Sequence, residues 1–571
     1  METRLLLAFL LMGLVLFLTP YFYKPPPPPP KSSAPAAANQ AAQSNQTAPA
    51  APQQPAAAGE PAAPQIQASA EQEFTVDTDL YRIRFSNRGA VVRSWVLKKY
   101  FDRAGKPLEL VDQAALAKVA APFALSLNNE QAANALNYGL YVAKPDPDGL
   151  GITYEFSDGR HYAKKSFAFQ KNSYRSQVAT EVTENGAPVE HMIEWRGGFG
   201  DASVQNRAVD QHAVYFDPSA PKTFLSFPIG QGKLITDNSG AVKNGPLTTT
   251  GDYLFAGVDD RFFAFVVLPQ DHTATKVEAI KDDVPGPNGK PEAHIGVEVA
   301  SSAANSVNIF IGPKDIDLLR KVDPRLDQLI DWGWFGVIAK PLFLALHWLN
   351  DNITHNYGWA IILITVLLNL VLLPLRFSGM KASMKSQRRM QQIQPQINAI
   401  NAKYKGIGLR DPRKQQQNQE LMDLYSKEGI NPMASAASGC LPMLIQLPVL
   451  YAFYRVIAVT IELRGAHWLW VTDLSQPETL AIHLLPIIMV ATQFLVQSMT
   501  PTAPSMDPSQ AKMMRFMPLM FGFFFYNMSS ALVLYWLTGN LTGIAQQWLV
   551  NRTMPPPPAR PPKAAPKRKK S

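Results

Sequence analysis

The chain has 571 residues, too many for one compact domain, and only 17% of them are charged, against roughly 25% in soluble globular proteins. Hydrophobic residues make up 46%, but after residue 330 they gather into long runs without a charge, which excludes a purely cytosolic enzyme. The single cysteine, Cys440, excludes a disulfide framework, a thiolate zinc site and a CxxC redox pair.

The net charge of +9 is concentrated in two segments. Residues 377–435 carry 10 Lys and Arg against 4 Asp and Glu, or +6, and residues 551–571 carry 7 against none, or +7. Basic segments beside apolar runs are typical of loops that stay in the cytoplasm, because Lys and Arg resist translocation. The two segments therefore indicate membrane topology, and we expect no DNA partner.

The first predicted element is an amino-terminal membrane anchor at residues 1–23. Its apolar part, residues 5–23, is long enough to cross a hydrocarbon core of about 30 Å. A cleaved signal peptide is the alternative, but no small-x-small cleavage site follows the apolar stretch. We therefore expect an uncleaved anchor with its amino end in the cytoplasm. The Pro- and Ala-rich residues 24–70 predict an extended tether.

Short runs of alternating polar and apolar residues fill the next part of the chain, residues 71–313. Examples are YRIRF at 81–85, ITYEF at 152–156 and VNIFI at 307–311. Period-two alternation over many short runs predicts an all-β sandwich. Because the anchor starts in the cytoplasm, this domain is expected outside it.

Residues 314–350 are nearly apolar enough to span a membrane. A span here would reverse the direction of the next apolar run and put the +6 segment outside, against the positive-inside bias. Lys340 and Pro341 also lie in the middle of its most apolar part. We therefore predict amphipathic helices that lie along the outer leaflet.

The last predicted domain is a five-span helical core at residues 351–550. Residues 377–435 have helical patterning, first in Met390, Ile393 and Ile397 and then in Leu421, Leu424 and Tyr425, with an interruption at 406–412. This pattern predicts a basic antiparallel hairpin in the cytoplasm. With the anchor, the chain is predicted to be a multi-domain membrane protein with six spans, both ends inside and a basic tail at 551–571. The core spans are predicted at 358–376, 441–460, 481–499, 513–528 and 531–550.

The sequence carries none of the common catalytic motifs. The sequence contains no HExxH, GxSxG or GxxxxGK[ST] motif, and the histidines of the predicted β-domain lie at no metal-ligand spacing. None of the predicted spans offers the paired Asp, or the Ser with His, that intramembrane proteolysis needs. The sequence therefore predicts no catalytic, metal or cofactor site and a protein that is not an enzyme.

Arg455 is the one ionisable side chain away from the ends of the predicted spans. Such a residue is by default a functional candidate that faces a cavity. Glu462 lies seven residues on, within about 20° on the same helical face, so Arg455 could instead extend outward toward it. We favour this simpler interpretation.

Uncharged polar residues in the predicted spans form a more coherent set. Either they hydrogen-bond between helices, at roughly 0.6–2 kcal/mol each, or they line a functional surface. Both interpretations place them in the interior of the bundle. The set consists of Thr365 with Asn369 and Gln493 with Gln497, each pair on one helix face, and the neighbours Tyr535 and Trp536.

Five ordered sequence blocks lie in the predicted core: NYGWAIILITVLLNLVLLPL (356–375), INPMASAASGCLPMLIQLPVLYAFY (430–454), IELRGAHWLW (461–470), MMRFMPLMFGFFF (513–525) and ALVLYWLTGNL (531–541). These blocks resemble the YidC family of membrane protein insertases. The likeness is close over the five-span core, and the anchor, tether and β-domain resemble the layout of Gram-negative members, which implies a supersandwich-like periplasmic domain and an inner-membrane location.

The resemblance implies a polar groove in the core, open to the cytosol and to lipid and closed on the outside. Thr365, Gln497 and Trp536 fall on groove-lining positions, and no cofactor is implied. Five residues before Pro374, where the family typically carries a groove arginine, this chain has Asn369. Arg455 is the candidate replacement for that cation. Asn369 and Tyr535 complete the expected groove.

The partners that the resemblance implies are nascent membrane proteins, the Sec translocon and membrane lipids. The basic hairpin and tail suit contact with the ribosome, the alternative being simple topology anchoring. A secondary transporter with a mid-membrane solute site is a different function, but it would need an internal repeat and charge partners that the sequence lacks. A carbohydrate-binding β-domain on a passive anchor is a third hypothesis.

Overall fold

The computed structural model describes residues 64–553. Gaps within this range lie at 205–207, 209, 225–226, 270–273, 287–289, 302–305, 334, 405, 407–410, 429–431 and 500–507. The predicted anchor, most of the predicted tether and residues 554–571 of the tail lie outside the described residues.

The first half of the described chain is a β-domain with one short helix, α1 (Glu130–Tyr138). Its strands are β1 (Glu73–Asp77), β2 (Tyr81–Ser86), β3 (Val91–Phe101), β4 (Pro107–Glu109), β5 (Ala124–Ser126), β6 (Val142–Pro145), β7 (Gly151–Ser157), β8 (His161–Phe169), β9 (Arg175–Glu184), β10 (Ala187–Pro188), β11 (Met192–Trp195), β12 (His212–Phe224), β13 (Phe227–Asp237), β14 (Leu247–Gly251), β15 (Ala256–Asp259), β16 (Phe263–Leu268), β17 (Thr275–Pro285), β18 (Pro291–Ser301) and β19 (Ser306–Pro313).

These strands form three antiparallel sheets. A ten-stranded sheet has the order β13-β12-β15-β16-β19-β9-β8-β7-β6, with β10 beside β9. A four-stranded sheet has the order β1-β2-β3-β4, and a five-stranded sheet has the order β14-β17-β18-β11-β5. Aromatic contacts join both smaller sheets to the large one: Phe85 of β2 lies 4.9 Å from Phe167 of β8, and Trp195 of β11 lies 5.0 Å from Phe265 of β16.

Alternation along the strands explains why this region folds as sheets. In β2, Tyr81, Ile83 and Phe85 are buried, whereas Arg82 and Arg84 between them are exposed. Successive side chains of a strand point to opposite faces, so each alternating run supplies one apolar face to the core. The prediction of a large β-sheet domain is confirmed.

The end of the predicted tether is bound to this domain. Ile66 and Ser157 exchange two backbone hydrogen bonds of 2.9 and 2.8 Å, and the Ala68 amide donates to the Leu140 carbonyl at 2.9 Å. Residues 66–68, which belong to the predicted tether, therefore extend the edge of the β-domain.

The second half of the described chain is helical. Between α2 and α3 a 3₁₀ helix runs over Pro324–Leu329, and a π-helical turn at Asn350–Thr354 follows α3. The helices are α2 (Ile316–Val322), α3 (Gly336–Leu349), α4 (Tyr357–Val371), α5 (Leu373–Lys403), α6 (Arg413–Lys427), α7 (Pro432–Val459), α8 (Leu484–Met499), α9 (Pro508–Phe525) and α10 (Ser530–Thr553).

The α3 helix occupies the most apolar part of the segment predicted to lie along the membrane surface. Lys340 on this helix reaches Asp327 at 3.2 Å. One face of α3 is buried and carries Ala339, Leu342, Phe343, Leu346 and Leu349, whereas the exposed face includes Val337, Leu344 and Trp348.

The start of α4 is defined by Asn356. Its Oδ1 atom accepts hydrogen bonds from the amides of Gly358 and Trp359 at 3.0 and 3.3 Å, which satisfies two free donors of the first turn. His355, just before it, has a positive φ of 49°, and the chain turns by 118° between Gly336–Thr354 and Tyr357–Val371.

The five predicted core spans fall on α4 with the start of α5, and on α7, α8, α9 and α10. In the part of the chain that the structure describes, no helix alone has the length and apolar character of a membrane span. Helices α3 and α4 have this length and apolar character only when they are taken together, across the bend between them. The six-span arrangement therefore stays a prediction.

Helices α5 and α6 form a hairpin whose apolar residues lie on the faces that the sequence pattern indicates. The Tyr404 hydroxyl donates to Glu420 at 2.9 Å and closes the far end of the pair. The small core between the two helices consists of Met390, Ile393 and Ile397 from α5 with Leu421, Leu424 and Tyr425 from α6.

Candidate functional site

A polar cluster surrounds Arg376 where α4, α5, α7 and α10 meet. The Nη1 group of Arg376 donates to Asn369 Oδ1 at 2.5 Å and makes a longer contact of 3.5 Å with Gln546 Oε1. The Nη2 group donates to Gln446 Oε1. We call this set, together with Thr365 and Tyr535, the Arg376 cluster.

Tyr535 joins α10 to α7 in this cluster. Its hydroxyl accepts a 2.9 Å hydrogen bond from Gln446 Nε2. Its ring stacks on Phe453 of α7, with centroids 4.2 Å apart and planes 18° apart. These contacts bury Tyr535 and hold α7 and α10 together at the level of Arg376.

Thr365 and Asn369 are both buried on α4, and their side chains bond first to their own helix. The Thr365 hydroxyl donates to the Ile361 carbonyl at 2.6 Å, and Asn369 Nδ2 donates to the Thr365 carbonyl at 2.7 Å. The amide donor of Asn369 is thereby occupied, and its oxygen is oriented toward Arg376. The two residues form the inner wall of the cluster.

Arg376 reaches Asn369 because the two residues are seven positions apart. On helical backbone this spacing brings side chains within about 20° of one face. The short break between α4 and α5 preserves that relation, since the Arg376 amide still bonds to the Leu372 carbonyl at 3.0 Å. Sequence reasoning missed Arg376 because it was placed at the end of a span. The seven-residue spacing from Asn369 was the signal that could have found it.

The hydrogen-bond partners of the Arg376 guanidinium are neutral side chains. Within residues 64–553 as described, its contacts are amide oxygens, the nearby ionisable group is Tyr535, and no acidic side chain lies within ion-pair distance. The guanidinium is half-buried at the junction of four helices. Such a site offers a carboxylate a cation with a planar fork of donors.

Trp536 belongs to a different contact, between α10, α8 and α9. Its indole Nε1 donates to Gln493 Oε1 at 3.2 Å, and its ring packs 5.0 Å from Phe525. Gln497 lies one turn beyond Gln493 on α8 and is half-buried. Thr365, Asn369 and Tyr535 are thus brought together, whereas Trp536 faces the other side of α10.

Arg455 does not pair with Glu462, so that predicted contact is wrong. Arg455 Nη2 lies 2.8 Å from Asp331 Oδ2 and also donates to the Asp331 carbonyl. Helix α7 ends at Val459 and the backbone at Thr460 is extended, so helical spacing no longer applies at Glu462. Arg455 therefore joins α7 to the segment before α3.

Glu462 has a different partner, His347 of α3. The His347 Nε2 atom lies 3.5 Å from Glu462 Oε1. Burial raises the pKa of Glu462 to about 7. Among the described residues, no group of three or more His, Cys, Asp or Glu side chains could hold a metal ion.

Comparisons with known proteins match both halves of the chain. The family model for the 60Kd inner membrane protein matches residues 348–557, and the model for the YidC periplasmic domain matches residues 73–345. The membrane protein insertase YidC of Geobacter sp. (strain M21) is 35% identical over 505 residues, which cover 85% of this chain and 86% of that protein.

Two further matches extend over most of the chain. The membrane protein insertase YidC of Geotalea daltonii (strain DSM 22248 / JCM 15807 / FRC-32) is 32% identical over 571 residues, covering 97% of this chain and all of that protein. A crystal structure of an active YidC insertase with its first transmembrane domain resolved is 22% identical, covers 84% of this chain and 93% of its own, and has a TM-score of 0.34.

Proposed function

The chain belongs to the YidC family of membrane protein insertases, and we propose that it passes nascent transmembrane segments into the bilayer along the Arg376 cluster. Family membership confirms the sequence-based predictions of an inner-membrane insertase with a periplasmic domain, which is not an enzyme. The route of the substrate along the Arg376 cluster is proposed from the geometry of the site.

One observation carries this route: polar side chains from four helices meet around a cation among neutral partners. Polar lining admits water part of the way across the bilayer, so the polar flank of a substrate crosses a thinner apolar barrier. The apolar helix of the substrate then gains roughly 0.3–0.6 kcal/mol for each Leu or Ile at its centre when it enters lipid. This gain makes lateral release favourable without nucleotide hydrolysis.

Arg376 has the chemistry to receive the acidic tail of a substrate. A carboxylate can replace the oxygens of Asn369 and Gln446 with two charge-assisted hydrogen bonds to the planar guanidinium, which are roughly twice as strong as neutral ones. The bond to Asn369 orients the fork before the substrate arrives. Arg376, rather than Arg455, is the proposed groove cation. Gln497 and Trp536 are proposed as further lining on the α8 side.

Purified protein in liposomes should insert a small two-span protein in the absence of ATP. The expected driving force is the transfer of the substrate's apolar helices into lipid, which needs no nucleotide. Protease protection of the inserted substrate measures the yield, with empty liposomes as the control. Strict nucleotide dependence, or equal insertion into empty liposomes, would remove the case for this function.

We propose six spans with both chain ends in the cytoplasm, the β-domain in the periplasm and α3 along the outer leaflet. The support is the +6 and +7 charge of the two basic segments. In a variant lacking Cys440, single cysteines near positions 400 and 565 should react only from the cytoplasm, and those near 200 and 475 only from outside. Reaction at 400 from outside would overturn this arrangement.

The proposed partners are nascent membrane proteins, the Sec translocon, membrane lipids and the ribosome. The α5–α6 hairpin supports the ribosome contact, because its segment carries a net charge of +6 and ribosomal RNA is anionic. Co-sedimentation with ribosomes should therefore weaken as salt is raised. If ribosome binding did not change with salt concentration, the positive charge of the hairpin would not be the cause of binding.

A further inference from the structure

The two helices that meet at Tyr535 are connected at their outer ends to the β-domain, α7 directly and α10 through a loop. Helix α7 ends at Val459, and Arg261 of the β-domain donates to the Ala458 carbonyl in its last turn at 3.2 Å. Helix α10 begins at Ser530, whose amide and hydroxyl donate to the Gln476 carbonyl at 2.8 and 2.9 Å. The loops next to these ends, at Arg464 and Gln476, contact the β-domain directly.

Arg464 makes the strongest of these contacts. Its Nη2 group lies 2.5 Å from Asp201 Oδ2 and 2.6 Å from the Phe101 carbonyl, and its guanidinium lies 5.5 Å from the centre of the Phe263 ring. The side chains of Arg464 and Asp201 are only 11% and 3% exposed. A largely buried pair of this kind holds two elements in one orientation, because separating it leaves each charge without its partner.

Asp201 is itself held in place by the β-domain. Its amide donates to Asp260 Oδ2 at 3.1 Å, and its Oδ1 atom accepts from the amide and hydroxyl of Ser203 at 2.8 and 2.6 Å. Gly200 has a φ of +93°, and a Cβ atom there would lie 1.9 Å from Asp260, so the turn requires glycine. The carboxylate that meets Arg464 is therefore presented by a rigid turn.

A second contact reaches the start of α10. Arg103 Nη2 donates to Gln476 Oε1 at 2.6 Å, while the carbonyl of Gln476 binds Ser530 as described. The amide of Ala531 adds a bond to the Leu474 carbonyl at 2.9 Å. Through this loop the position of Arg103 is coupled to the first turn of the helix that carries Tyr535.

A pocket of about 280 Å³ lies beside these polar contacts, between the β-domain and the loop that follows α7. Its lining includes Asp102, Arg103 and Asp201 on one side and Glu462, Arg464 and Gln476 on the other. Ile461 and Leu463 of the same loop are buried in the hydrophobic core that also contains Phe263 of the β-domain. The polar contacts therefore act together with apolar packing to orient the two parts.

We propose that Asp201 and Arg464, supported by Arg103 and Gln476, form a latch by which the β-domain positions the outer ends of α7 and α10 and keeps the outer end of the groove closed. This inference rests on the proposed function, since the same two helices carry Gln446 and Tyr535 of the Arg376 cluster. Asp201 and Arg464 are positioning residues, because they act through the helices and not on the substrate.

The reaction rate of a buried cysteine measures whether the outer end of the groove is closed. Ala452 on α7 is 0% exposed and precedes Phe453, which stacks on Tyr535. In the full chain with Cys440→Ser and Ala452→Cys, a membrane-impermeant maleimide added from outside should react slowly. Asp201→Asn or Arg464→Gln should increase that rate several-fold, because the ends of α7 and α10 are released. The double variant Asp201→Asn with Arg464→Gln should increase the rate little more than either single change, because both remove the same interaction.

The matched control is another ion pair of the β-domain. Arg196 and Asp282 lie 2.5 Å apart, and the Asp282 side chain is only 2% exposed, but neither residue is at the junction. Arg196→Gln should therefore weaken the β-domain without changing the labelling of Ala452→Cys. Unchanged labelling in both latch variants, an equal increase with Arg196→Gln, or additive increases in the double variant would overturn the latch. Liposome insertion by the unaltered chain is measured separately, so failure of the function is distinguished from failure of the latch.

Discussion

Replacing Arg376 with Gln should lower the insertion of substrates with acidic tails by about tenfold or more and leave neutral-tailed substrates nearly unaffected. A charge pair at about 4 Å is worth up to ~4 kcal/mol at an effective dielectric constant near 20, before desolvation is subtracted. A net loss of about 1.4 kcal/mol already corresponds to a factor of ten. Initial insertion rates into liposomes, for matched substrates whose tails differ only by Asp or Asn, measure the effect.

Two variants serve as controls for Arg376→Gln. Arg376→Lys keeps the charge but lacks the planar fork, so it should retain part of the preference for acidic tails. Arg455→Gln removes a cation that is paired with Asp331 and should leave the preference unchanged. If Arg455→Gln abolished the insertion of acidic tails and Arg376→Gln did not, the groove cation would be Arg455.

Replacing Asn369 with Asp should remove the preference for acidic tails almost as completely as Arg376→Gln does. Asp has nearly the shape of Asn, and its carboxylate would lie at the position of Oδ1, 2.5 Å from Arg376 Nη1. The cation would then be paired inside the protein and unavailable to the substrate. Rates with acidic and neutral tails, measured in the same liposome assay, should become nearly equal. Asn369→Leu differs, since it removes the polar wall and should slow both substrates.

The Asn369→Asp effect has a matched control in the same bundle. Asn540 of α10 is also buried, and its Nδ2 group bonds to Thr492 Oγ1 at 3.1 Å, away from Arg376. Asn540→Asp buries a carboxylate without pairing the cation, so it should affect acidic and neutral tails equally. Combining Asn369→Asp with Arg376→Gln leaves the new carboxylate without its cation, so acidic tails should be inserted more slowly than by either single variant. A double variant that inserts acidic tails as fast as Asn369→Asp alone would contradict the pairing.

Local patterns were enough to predict several parts of this structure. The alternation of YRIRF predicted a strand with buried Tyr81, Ile83 and Phe85, because successive side chains of a strand must point to opposite faces. The spacing of Met390, Ile393 and Ile397 likewise predicted one face of a helix, and these residues do pack against α6. Such features depend on neighbours a few residues away, which the sequence displays directly.

The boundary of the β-domain shows where local patterns stop being informative. Residues 24–70 have the composition of a free spacer, yet Ile66 pairs with Ser157, about ninety positions later. A short segment that adds to a sheet edge needs only backbone hydrogen bonds, so its own composition does not predict the contact. The partner strand determines where the spacer ends.

The candidate site was predicted in its residue types and in part of its membership. The bundle interior was the expected place of Thr365, Asn369 and Tyr535, and all three are buried there. The reason is that polar side chains in apolar helices form hydrogen bonds within the bundle. The partners of Arg455 and Arg376 were not predicted, for two reasons that lie outside local sequence. Helix α7 ends before Glu462, which separates it from Arg455, and α5 continues the face of α4, which brings Arg376 to Asn369. Gln446, seventy residues away along the chain, completes the site. Helical spacing predicts which residues of one helix share a face. The ends of helices and the packing of α4, α5, α7 and α10 determine which faces meet, because burial and hydrogen bonding are settled between segments that are distant in sequence.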